Sequence, residues 1–145
     1  MSGIIDNDEL MKVFYEEAYE LVEKMKSGLL SLSVNAERRE KETGTTKTKG
    51  LHEEKEGTSP TFRNLFRYAH TLKSSSRAVG FGKLEEVTQA LERIFKEADE
   101  KSIDIDPKSI AIISESITIC GKLLKKEKVS GYKSLLTKLE SITGD

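Results

Sequence analysis

The sequence predicts an all-α fold, an antiparallel up-down four-helix bundle with an additional C-terminal helix. Three observations predict it. Apolar residues recur at three- and four-residue steps through five segments, two of those segments open on a cap residue followed by proline, and no alternating strand pattern occurs. The stretch from Ile110 to Ile119 is rich in β-branched residues, but its cap and spacing favour helix. With 145 residues the chain has room for one ordinary domain, expected to span 1–145.

The first helix is expected over about 8–32, where Leu10, Phe14, Ala18, Leu21, Met25, Leu29 and Leu32 form a stripe. Asp6 followed by Glu9 suits its N-terminal cap. Periodicity then stops. From Ser33 to Ser59 the chain reads as Glu, Lys, Thr and Gly, with only Val34, Ala36 and Leu51 to bury, so a solvated, disordered loop is expected over 33–59. Ser59-Pro60 restarts order as cap and first helical residue. The helix so opened is expected over 60–79, with Phe62, Leu65, Ala69, Leu72 and Ser76 as a narrow stripe. Gly80-Phe81-Gly82 ends it in a tight reversal. The next helix, over 83–101, carries Leu84, Val87, Leu91, Ile94, Phe95 and Ala98. Asp106-Pro107 opens another over 107–126, with Ile110, Ile113, Ile117, Cys120, Leu123 and Leu124. A shorter helix over 130–142 holds Tyr132, Leu135, Leu136, Leu139 and Ile142.

Composition excludes several functions. Lys and Arg number 24 against 25 Asp and Glu, a formal charge of −1, so no global field draws nucleic acid or an anionic membrane. The run Lys122, Lys125, Lys126 and Lys128 is short and broken by Glu127, and suits a helix C-terminus. No apolar run is long enough to insert in a membrane, and the N-terminus is acidic where a signal peptide is basic. A single cysteine, Cys120, excludes an internal disulfide and fits a reducing compartment, so a cytoplasmic domain is expected. Cys120 lies in an apolar stripe and reads as a small buried hydrophobe. Two histidines and one cysteine are too few for a closed zinc site, and His52 lies in the expected loop, which argues against a metal enzyme built on His52 and His70. No phosphate-cradling glycine loop is present, so no ATP site is expected in this chain.

One constellation carries chemistry. On a helical wheel His70 sits roughly 100° from the centre of its apolar stripe, on the flank of the bundle, with Lys73 and Arg77 along the same flank. The following helix folds back about Phe81, and His70 and Glu92 each stand 11 residues from it, so an antiparallel pair brings them to one height. Lys73 and Gln89 pair in height likewise. An exposed histidine flanked by a carboxylate, an amide and a lysine suits a nucleophile: the carboxylate fixes the tautomer, the second nitrogen keeps an outward lone pair, and an ammonium stabilises arriving phosphoryl oxygens. Taken singly, a surface histidine without a task and a lysine three residues on are ordinary on a charged helix; the equal height of Glu92 raises the functional reading. Phe66 is either an apolar docking anchor beside His70 or a widening of the core stripe.

The string FRYAHTLKSSSRAVGFGKLEEVTQALERIF as a whole resembles the histidine phosphotransfer (HPt, P1) domain at the N-terminus of the chemotaxis kinase CheA family. The opening DELMKVFYEEAYELVEKMKSGLLSL is similar to that family's first helix. The resemblance implies that His70 is the phosphoacceptor, that Glu92 orients its imidazole, that Lys73 stabilises the phosphoryl group and that Gln89 can add a hydrogen bond. It implies a two-component, chemotaxis-type signalling role: His70 takes a phosphoryl group from a CheA-like ATP-binding kinase domain and passes it to an aspartate of a response regulator of the CheY or CheB type. It implies further that ATP and Mg²⁺ belong to the partner kinase domain, that this domain is a substrate within a protein-histidine kinase, and that the phosphorylated nitrogen is the one farther from the backbone. Gln89 stands where many members carry a second histidine, Ser74 where glycine is usual and Arg77 where a small residue is usual. Ser74 and Gln89 motivate the alternative, a phosphotransfer-inactive helical interaction module.

Overall fold

The structure, a computed structural model, describes residues 7–41 and 62–144, with side chains in the first stretch from residue 8 to residue 32. Five helices and no strand make up the described residues: α1 (Asn7–Lys41), α2 (Phe62–Ala78), α3 (Gly82–Asp99), α4 (Pro107–Leu124) and α5 (Tyr132–Ile142). α1 packs on α2 and α4, α3 packs on the same two, and no close backbone approach crosses either diagonal, which is the square of a four-helix bundle. α5 is the additional helix and lies against α3 and α4.

The core is the set of stripes brought face to face. Phe14, Ala18, Val22, Met25 and Leu29 of α1 meet Leu65, Ala69 and Leu72 of α2, Leu84, Leu91, Ile94 and Phe95 of α3, and Ile113, Ile117 and Cys120 of α4. On α1 the stripe differs from the sequence expectation at its edge. Val22 takes the buried place, Leu21 and Leu32 are half-buried, and Leu10 is exposed. Buried hydroxyls are satisfied locally: Ser76 donates to the Leu72 carbonyl (2.7 Å) and Thr88 to that of Leu84 (2.8 Å). Each fully buried Leu, Ile or Phe contributes about 1.5–3 kcal/mol, so stability resides in this core and not in the surface groups discussed below.

α1 continues as helix to Lys41, where a loop from Ser33 was expected. Apolar periodicity signals burial, whereas helix itself needs only propensity, and the segment Ala36-Glu37-Arg38-Arg39-Glu40-Lys41 is rich in strong helix formers with neither Gly nor Pro. The rest of that expected loop, His52, the Ser59-Pro60 start and the Asp6 cap lie outside the described residues. Asp106 caps α4 by accepting the Ser109 amide (2.8 Å), with Pro107 in the first turn. That amide holds the Asp106 carboxyl below its ordinary value.

The α2–α3 reversal sets the register of the site. Gly80 adopts φ +76°, its amide bonds the Arg77 carbonyl (3.1 Å), and the Phe81 amide bonds that of Ser76 (2.9 Å), together a Schellman motif. Phe81 then turns its own carbonyl to the Glu85 amide (3.0 Å) and so begins α3 at once. Its ring packs on Phe14 of α1, with centroids 6.3 Å apart. A reversal this short leaves no freedom for the two helices to slide.

Candidate functional site

Three cross-helix pairs record that register. Arg63 meets Asp99 (3.5 Å), His70 meets Glu92 (2.7 Å) and Arg77 meets Glu85 (2.9 Å). Each pair is symmetric about Phe81, and successive pairs are a heptad apart on both helices, so a ladder of base–acid rungs runs along one edge of the bundle with a histidine at its middle rung. The outer rungs were not singled out in the sequence, although the symmetry that pairs His70 with Glu92 also pairs them.

α2 turns Leu65, Ala69, Leu72 and Ser76 inward, and His70 stands on the flank with 54% of its side chain exposed. Its Nδ1 lies 2.7 Å from Glu92 Oε2. A carboxylate only accepts, so Nδ1 carries the proton and donates, and Nε2 is left with its lone pair. The ring stacks on Phe66, centroids 5.9 Å apart and planes 24° apart, while Phe66 itself is half-buried against the core. Phe66 thus widens the core stripe and also limits the rotation of the imidazole.

Glu92 receives two donors. Its second oxygen, Oε1, lies 2.7 Å from Lys73 Nζ, and the carboxylate is only 14% exposed. Burial acts to raise its pKa, but the hydrogen bonds from Lys73 and His70, with the positive charge of Lys73, together outweigh burial and hold the carboxyl below its ordinary value. It therefore stays ionised as an acceptor for the ring.

Equal height on the sequence placed Lys73 beside Gln89; the structure pairs Lys73 with Glu92 instead. Helical side chains lean toward their own N-terminus. Lys73 therefore leans back toward the level of His70, which is the level of Glu92, and Gln89 leans along α3 away from it. Gln89 is exposed and makes no hydrogen bond to the ring among the described residues. Ser74 is exposed one turn beyond His70. Cys120 stands apart from all of this, wholly buried, its thiol pushed up to about 12 by that burial.

A four-helix bundle presenting a half-exposed imidazole, tautomer-fixed by an ionised carboxylate and open at Nε2, is built to offer a nitrogen nucleophile to an incoming group. The chain belongs to the Hpt domain family, whose model matches residues 9–128. It is 26% identical over 120 residues to the chemotaxis protein CheA of Borreliella burgdorferi; the match takes in 83% of this chain but only 12% of that protein's length. Among solved structures, the fold is shared with the phosphorylated P1 domain of CheA3, determined in complex with CheY6 from R. sphaeroides, at a TM-score of 0.65 and 18% identity over 92% of this chain and 94% of that one. No described helix is long and apolar enough to cross a membrane.

Proposed function

We propose that this chain is a phosphotransfer domain of a cytoplasmic, chemotaxis-type two-component system. His70 receives a phosphoryl group from a CheA-like kinase domain and delivers it to an aspartate of a CheY- or CheB-type response regulator. The observation that carries this reading is the 2.7 Å bond from Nδ1 to Glu92 on a half-exposed ring, which leaves Nε2 as the reacting atom.

In the first transfer the Nε2 lone pair attacks the γ-phosphorus of ATP held by the kinase domain; the N–P bond forms as the bond to the ADP oxygen breaks. The ring becomes positively charged, and Glu92, already an anion, stabilises that charge through the Nδ1 proton. In the second transfer a carboxylate oxygen of the regulator attacks phosphorus, the N–P bond breaks and the neutral ring returns. ATP and Mg²⁺ are assigned to the partners; this chain supplies the oriented imidazole and the surface around it.

Incubation with a CheA-type kinase domain and γ-labelled ATP tests the proposal. The intact chain should take up an alkali-stable, acid-labile label, lose it to a response regulator, and take up none as His70→Gln. Equal labelling of the His70→Gln variant would reject His70, and no labelling of the wild type under any such kinase would favour the inactive interaction module.

A further inference from the structure

α2 carries four cations, Arg63, Arg67, Lys73 and Arg77, and no acid. Three are matched to carboxylates of α3: Arg63 to Asp99, Lys73 to Glu92 and Arg77 to Glu85. Arg67 is exposed and has no hydrogen-bond or ion-pair partner among the described residues. It precedes His70 by three residues, the spacing of helix neighbours.

The direction of the imidazole makes that spacing matter. By stacking on Phe66 the ring leans over the turn that holds Phe66 and Arg67. On the wheel Arg67 and Lys73 flank His70 at roughly 60° to either side. Lys73 and Nδ1 are on the α3 side, both engaged by Glu92. Arg67 is on the other side of the wheel, and Nε2 is the ring nitrogen that Glu92 does not engage.

We infer that Arg67 is the phosphoryl-binding residue of this site, its guanidinium taking two oxygens of a phosphoryl group on Nε2; the inference rests on the phosphotransfer reading above. The role that Lys73 was expected to fill falls to Arg67 because Glu92 already neutralises the lysine at 2.7 Å and buries it beside the ring. A phosphoryl group brings about two negative charges, and a planar guanidinium meets two of its oxygens at once.

Phosphoramidate, a small donor that needs no docking protein, separates this role from partner recognition. Nε2 attacks phosphorus, the donor's P–N bond breaks, and ammonia leaves with a solvent proton. The intact wild-type chain, Arg67→Gln and Arg67→Lys are compared by uptake rate and by the ³¹P chemical-shift titration of the phosphoryl group. Arg67→Gln should slow uptake about fivefold and move the second phosphoryl ionisation to higher pH, with Arg67→Lys recovering part of both. A Gln variant that loads at the wild-type rate with an unmoved titration would overturn the assignment while leaving His70 as phosphoacceptor. A wild-type chain that takes no phosphoryl group at His70 would overturn both.

Discussion

Replacing Glu92 with glutamine removes a charge and almost no volume, so it isolates what the carboxylate does. In the wild type two donors, His70 Nδ1–H and the Lys73 ammonium, each find an oxygen at 2.7 Å. An amide offers one oxygen and one N–H₂, so one of the two donors must face another donor. Hydrogen bonds to charged groups are worth about 1.5–3 kcal/mol each. Here the histidine is 54% exposed and solvent competes for it, which reduces the loss for the pair to about 1–2 kcal/mol. The fully buried residues at the centre of the core are untouched, and the bundle stays folded. Loading of His70 suffers more, because a ring whose tautomer is no longer fixed presents Nε2 for only part of the time; a fall of about tenfold is expected.

The sign of the pH dependence follows from the depressed carboxyl. A carboxylate whose folded pKa lies below its unfolded value stabilises the fold above the unfolded value, and that contribution is lost as pH falls through the folded one. Urea midpoints of wild type and Glu92→Gln should therefore differ near neutrality and converge in acid, as pH falls through the lowered folded value of the Glu92 carboxyl. The reasoning is refuted if the gap is the same at both ends, or if the variant loads phosphoryl at the wild-type rate.

Gly80→Ala tests the reversal. A Cβ at Gly80 meets nothing within 4 Å, so the whole cost is the φ of +76°; destabilisation of about 1 kcal/mol is expected in urea unfolding, with phosphoryl uptake nearly unchanged. Tyr132→Phe tests the seating of α5: the hydroxyl donates to Glu86 (2.5 Å), with the Lys83 carbonyl 3.0 Å away, and its loss should cost about 1 kcal/mol. In the wild type, burial and then Glu86 push the Tyr132 phenol well above its ordinary range, so ultraviolet titration should show a tyrosine ionising above that range in the wild type and none such in the Tyr132→Phe variant.

The site was legible where backbone geometry alone decides it. The flank position of His70 follows from the spacing of Leu65, Ala69, Leu72 and Ser76, and the level of Glu92 from the turn at Phe81. Neither needs a side-chain conformation. What was missed depends on how side chains lean. Lys73 and Gln89 have equal heights at Cα, yet one leans into the site and the other out of it, and residue counting carries no sense of direction. For the same reason the stack of Phe66 on His70 appears only in three dimensions. The continuation of α1 to Lys41 was missed on different grounds, because the eye follows apolar periodicity while a charged helix shows none.

The most direct measurement is the identity of the phosphorylated nitrogen. With imidazole-¹⁵N-labelled protein loaded on His70, ³¹P–¹⁵N coupling should place phosphorus on Nε2, and the resting protein should show its ring proton on Nδ1, toward Glu92. Phosphorus on Nδ1, or a resting ring with its proton on Nε2, would contradict the role given to the carboxylate.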